Sequence, residues 1–141
     1  NAYAFGVPDF HKKPKHATGE LDGMFFTKAH LILKNQEGLG LSKEKIEEIK
    51  NLKLETEKAL VKQDADIKVL DLDLMAKLHA YPVNVEEVNK LVDQKYDLKK
   101  AKTKNSVEAI AKLKSALTKD QYDKLESLLK SSETNRQHKS E

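Results

Sequence analysis

The chain contains no cysteine and no tryptophan, and its proline and glycine are few, three and five in 141 residues. Without Cys there is no disulfide framework, no thiol nucleophile and no thiolate metal ligand. Four Tyr and four Phe are the whole aromatic content, too little to interleave a nucleic-acid surface with stacking platforms. No apolar run approaches the roughly 20 residues of a membrane-spanning helix. Charge of one sign is also scarce. Against 26 basic residues stand 23 acidic ones, and the net charge of +3 is too small an excess to argue for nucleic acid. A Gly-rich phosphate loop and an elbow serine are both missing. Paired carboxylates such as Asp71 and Asp73 stand about 200° apart on a helix and share no face. These absences argue against an enzyme.

What is present is helical periodicity. The apolar fraction is 38% and the charged fraction 35%, a balance that suits thin helical layers with large solvated faces. From Leu41 to Tyr81 apolar residues recur at Ile46, Ile49, Leu52, Leu60, Ile67, Leu70, Leu74 and Leu78, mostly three or four apart or in multiples of that step. Ser42 can cap this helix, with Glu44, Glu47 and Glu48 in its first turns. At 1.5 Å per residue it would be about 57 Å long, longer than a compact domain of this size is wide. The rest of the chain must therefore supply partners along it. Its pattern drifts around Thr56 and Gln63, which argues against a sustained heptad coiled coil.

The other segments are organised around this rod. Residues 1–23 carry Gly6, Pro8, Pro14, Gly19, Gly23 and the basic cluster His11-Lys12-Lys13-Pro14-Lys15-His16, and read as a flexible arm. The initiator Met is lacking before Asn1-Ala2-Tyr3-Ala4, as expected after removal of an export signal or after trimming. A short helix is expected from Met24 to Gln36, docked through its Phe25–Phe26 face and ended by Gly38 and Gly40. After the turn at Tyr81-Pro82-Val83, Asn84 can cap a second long helix to about Leu117. Thr118 and Gln121 have capping-box spacing, and start a last helix ending near Leu129. Residues 131–141 are polar and read as disordered. The helical domain is thus residues 24–130.

Two stretches echo each other. Leu41-Ser42-Lys43-Glu44-Lys45 and Leu117-Thr118-Lys119-Asp120-Gln121 each place a hydrophobic anchor before a hydroxyl cap, followed by apolar positions at +5 and +8. Each copy alone is explained as a helix start. The pair, set across a long helical hairpin, resembles the LTxxQ family of exported bacterial proteins, which includes the Spy and CpxP stress chaperones, zinc-associated ZraP and the nickel/cobalt sensor CnrX. The second copy matches the motif in full, and the first has Ser for Thr and Lys for Gln. The Phe25–Leu33 segment and the Gly38-Leu39-Gly40-Leu41 turn look like the ZraP-type branch. The resemblance implies an all-α fold: a long antiparallel hairpin with short flanking helices, paired into an elongated concave homodimer or a larger oligomer in the periplasm. It also implies ATP-independent holding of unfolding client proteins. The alternative it offers is a heavy-metal-binding sensor or resistance protein that regulates a two-component system through a membrane sensor kinase.

Two sets of residues could carry these functions. The metal candidates are His11 and His16 in the arm, His30 with Glu37 nearby, and the i, i+4 pair Met75 and His79, which could offer thioether and imidazole to zinc or another divalent transition metal. No cofactor is required by the holding reading. The nickel/cobalt sensors place ligands on the helix before the second motif, where this chain has Ala109 and Leu113. On the short helix, where they carry His at i and i+4, it has His30 followed by Lys34. The second set is basic: Lys99, Lys100, Lys102 and Lys104, with Lys95 and the facing Lys62 and Lys68, expected to line the concave client-binding surface.

Overall fold

In the computed structural model, residues 19–138 are described, and among them every regular element is a helix. The order is α1 (Glu20–Lys34), α2 (Lys43–Leu78), α3 (Val85–Ser115) and α4 (Lys119–His138). The fold is all-α.

The caps expected from the sequence are formed. The Lys45 amide donates to Ser42 Oγ at 3.1 Å, and the Glu87 amide donates to Asn84 Oδ1 at 3.2 Å. At the start of α4 the box is reciprocal: the Gln121 amide donates to Thr118 Oγ1 (3.2 Å) and the Thr118 amide to Gln121 Oε1 (3.0 Å). Each satisfies amides that a helix start otherwise leaves without an intrahelical acceptor. Between α1 and α2 the chain reverses through Gly40, whose φ of +67° is a left-handed conformation natural to glycine.

Two boundaries differ from the pattern reading. Helix α1 begins at Glu20 rather than Met24, so its first turn includes Asp22, which is buried against α3. Apolar periodicity misses this turn because a polar contact holds it. Helix α4 continues to His138, well past Leu129, the last of its apolar positions. No Gly or Pro interrupts residues 130–138, and Ser131 and Thr134 bond back to carbonyls four residues earlier. The backbone continues while the burial stops.

Helices α2 and α3 pack along one another and α1 lies across both. Ion pairs between residues 77 and 87, 71 and 95, and 64 and 102 fix an antiparallel register. The core sits at one end. Phe25, Phe26, Ala29, Ile32 and Leu33 of α1, Leu39, Ile49 and Leu60, Ala109 and Leu113 of α3, and Ala116, Leu117 and Leu125 form one buried cluster. Each large side chain there contributes about 1.5–3 kcal/mol of burial. Phe25 and Phe26 meet edge to face, with ring centres 4.9 Å apart. Beyond Leu60 the layer thins to α2 and α3 alone. Ile67, Leu70 and Leu74 are half-buried, and Leu78 is exposed. The seam expected along the whole rod is therefore densely packed over one half and lightly packed over the other.

Candidate functional surface

The two motif copies come together at the packed end. Gly40, Leu41 and Ser42 line one shallow groove with Leu117, Thr118 and Gln121. After forming the cap, the Gln121 side chain still has its amide nitrogen free to reach across, and Nε2 donates to the Leu39 carbonyl at 3.2 Å. The full motif thus ties the start of α4 to the turn preceding the first copy. In the first copy Lys45 stands where Gln would be, and its Nζ instead pairs with Glu48 at 2.8 Å. Nearby, Tyr122 lies between two ammonium groups, with Lys28 Nζ 5.2 Å and Lys114 Nζ 5.0 Å from the ring centre. Lys28 also donates to the Tyr122 hydroxyl at 3.2 Å. These contacts hold α4 to α1 and α3, and their role is architectural.

The seven lysines do not form one basic sheet. Lys95 and Lys102 are turned into the α2–α3 seam. Lys95 Nζ lies 2.6 Å from Asp71 Oδ1, and Lys102 Nζ lies 2.6 Å from Asp64 Oδ1 and 3.6 Å from Asp22 Oδ2. Asp22 also accepts a 2.5 Å hydrogen bond from Ser106 Oγ. The hydrogen bond from Lys95, opposed by burial and reinforced by the charges of Lys95, Lys99 and Lys68, holds the Asp71 carboxyl below its usual 3.8. The same bond raises the Lys95 ammonium above its usual 10.5. Lys62, Lys68, Lys99, Lys100 and Lys104 are exposed. Lys62 and Lys68 stand about 120° apart around α2, and Lys99 and Lys100 about 100° apart around α3. The exposed charge is spread around the layer.

A sequence signal for the paired lysines existed. Asp64 and Asp71 are seven apart on one helix, Lys95 and Lys102 seven apart on the other, and an antiparallel register brings each pair together. Asp22 and Ser106 gave no such signal, because nothing local marks them as partners.

Apolar side chains supply the second surface feature, one the periodicity reading missed. On α2, Val61, Val69, Leu72 and Met75 are exposed, the last three by 55%, 53% and 56%. On α3, Val85 and Tyr96 are exposed and Val92 half-exposed. Met75 is therefore not part of the core. Lys99 and Lys95 approach the Tyr96 ring, with Nζ 5.4 and 6.0 Å from its centre.

The metal candidates are dispersed. His11 and His16 lie outside the described residues. His30 and Glu37 line one groove beside the α1–α2 turn. Met75 and His79 lie exposed at the far end of α2. Among the described residues no three His, Cys, Asp or Glu side chains converge as a metal site would need. No described helix is long and apolar enough to cross a membrane. Comparison with family models, with curated proteins and with solved structures finds no match to the chain.

Proposed function

We propose that the protein is an ATP-independent holding chaperone of the bacterial periplasm, acting in envelope stress as an elongated, concave homodimer of helical hairpins. The observation that carries the reading is the set of exposed apolar side chains Val61, Val69, Leu72 and Met75 on α2, on the same helix as the exposed Lys68 and next to α3 with its exposed Lys99. A face of isolated aliphatic groups set among cations suits weak, reversible contact with unfolded segments, because no deep pocket demands one shape. The motif resemblance supplies the compartment and the dimer. A thin two-helix layer also gains from a second copy, since helices packed on one side only leave apolar surface in water.

The test is suppression of aggregation of a chemically denatured reporter enzyme. The double substitution Leu72→Ser and Met75→Ser should weaken protection while leaving helicity and melting temperature near the parent's. Undiminished protection would remove the support for this surface, and a monomer in sedimentation equilibrium would remove the dimer.

Zinc enters the proposal as a modulator acting through His11, His16 and His30. Calorimetric titration of the full chain should show binding weakened by substituting His11 and His16 and unchanged by His79→Gln. Loss of binding in the His79 variant would place the metal on α2 instead.

A further inference from the structure

Helices α2 and α3 are joined at the end of the layer remote from the core. Leu60 is the last α2 residue in the buried cluster, and Leu78, where the helix ends, lies about 27 Å further along its axis. The tip of the hairpin runs from Leu78 to Val85. In a chain of which 35% is charged, these eight residues include no Asp, Glu, Lys or Arg. Among the described residues it is the longest stretch of that kind. Its large apolar side chains stand in water: Tyr81 is 100% exposed, Val85 63%, Leu78 54% and Val83 39%.

Immediately behind the tip charge returns, and it is balanced. Lys77 Nζ lies 3.6 Å from Glu87 Oε2 across the hairpin, and Lys90 Nζ lies 3.9 Å from Glu86 Oε1. Two cations and two carboxylates thus form a neutral collar below an apex with no formal charge.

Shape and charge together argue for what covers such an apex. Its exposed groups sit at the end of one helix, in the loop and at the start of the next. They surround a protrusion instead of lining a groove or one helix face. A protein partner covers a face, whereas a fluid layer takes in a protrusion from all sides. An apex without Asp, Glu, Lys or Arg also avoids the cost of drawing a charge out of water. Aliphatic groups with a tyrosine favour the boundary between lipid headgroups and acyl chains. Part of the backbone is prepared as well. The His79 and Ala80 amides donate to the Met75 and Lys77 carbonyls at 3.2 and 3.3 Å, the Glu87 amide is capped by Asn84, and Pro82 has no amide.

We propose that the hairpin tip, Leu78 to Val85, inserts shallowly into the surface of a lipid bilayer, with Tyr81 at headgroup level and the Lys77–Glu87 pair left in water. The neutral collar removes any requirement for anionic lipid. Because one tip buries few side chains, the attachment is weak and reversible. Helix α2 then carries the packed end up to about 50 Å from the lipid. The insertion goes beyond the holding activity, and its test involves no client.

The experiment uses the full chain, which has no Trp, so a single one can be placed as a probe. With phosphatidylcholine vesicles, emission of the Tyr81→Trp protein should move to shorter wavelength and be quenched by lipid brominated near the headgroup end of its acyl chains. The Tyr96→Trp protein, whose probe lies on α3 about 17 Å from Val85, should show neither change. Adding Val83→Ser and Val85→Ser to the Tyr81→Trp protein should raise the lipid concentration for half-binding about tenfold, with helicity unchanged. Enriching the vesicles in phosphatidylglycerol should alter binding by less than about twofold. No shift, or equal shifts at both positions, would overturn the proposal. So would binding that requires phosphatidylglycerol, since exposed lysines would then carry it. A shift that grows with protein concentration in the absence of vesicles would assign the tip to a second copy instead. Unchanged vesicle binding in the serine variant, with loss of its protection of a denatured enzyme, would assign the tip to unfolded chains and equally overturn the insertion.

Discussion

Reversing the charge at Lys102 tests the seam most sharply. Its ammonium lies 2.6 Å from Asp64 and 3.6 Å from Asp22, and it is 18% exposed. Asp22 is only 6% exposed and also accepts a hydrogen bond from Ser106. Lys102→Glu would remove the shared cation and place a third carboxylate beside two others. Breaking a buried pair by removing one partner costs about 3–5 kcal/mol, and partial exposure of Lys102 and Asp64 reduces this to about 2–4. For a chain this size the melting temperature should fall by roughly 10 °C. Lys102→Met, which removes the charge without adding a like one, should lose less. Lys100→Glu, two positions away but exposed, should change stability by under about 0.5 kcal/mol. The assay is urea unfolding followed by far-ultraviolet circular dichroism at neutral pH, repeated at high salt, where screening should narrow the gap between Lys102→Glu and Lys102→Met. Equal midpoints for the Lys102→Glu and Lys100→Glu proteins would refute the reasoning, since the cluster would then carry no energy.

Three further outcomes follow from the same structure. Gly40→Ala meets no steric neighbour, so its cost is the left-handed backbone alone, about 1 kcal/mol, read as a lowered urea midpoint; an unchanged midpoint would mean the turn can relax to another conformation. Gln121→Ala should cost about 1–2 kcal/mol, more than an isolated cap, because it removes both the reciprocal bond at Thr118 and the bond to Leu39; a loss equal to that of Ser42→Ala would show the second contact to be idle. The Asp71–Lys95 pair gives a pH window. The depressed Asp71 carboxyl contributes stability above its unfolded value near 3.8, lost as pH falls through the lower folded value. The raised Lys95 contributes below about 10.5, lost as pH rises past it. Asp71→Asn should flatten the acid limb of the unfolding profile, and an unaltered limb would assign it to other carboxylates.

The helical content, the three caps and the turn at Gly40 were legible in the sequence because each depends on residues within a few positions: Ser42 on Lys45, Asn84 on Glu87, Thr118 on Gln121. The apolar spacing also marked Phe25, Phe26, Ile49 and Leu60 as inward-facing. What the spacing could not rank was how deeply each position is buried. Ile49 and Leu74 belong to the same periodic series, yet one is enclosed and the other half in water, because only the first has α1 above it. The lysine run illustrates the same limit. A list of exposed cations in sequence becomes, in three dimensions, two paired seam residues and five others spread around two helices.

By itself, then, the sequence determined the local structure, through short-range capping bonds, backbone-permissive glycine and the period of apolar residues. Only the tertiary structure decided that the core gathers at one end, that Asp22, Asp64, Lys102 and Ser106 meet across three helices, and that Val69, Leu72, Met75 and Tyr96 are left exposed on the thin half. Those outcomes depend on where α1 lands on the rod. That position is set by contacts such as Asp22 with Ser106, 84 residues apart in the chain, which no local pattern encodes.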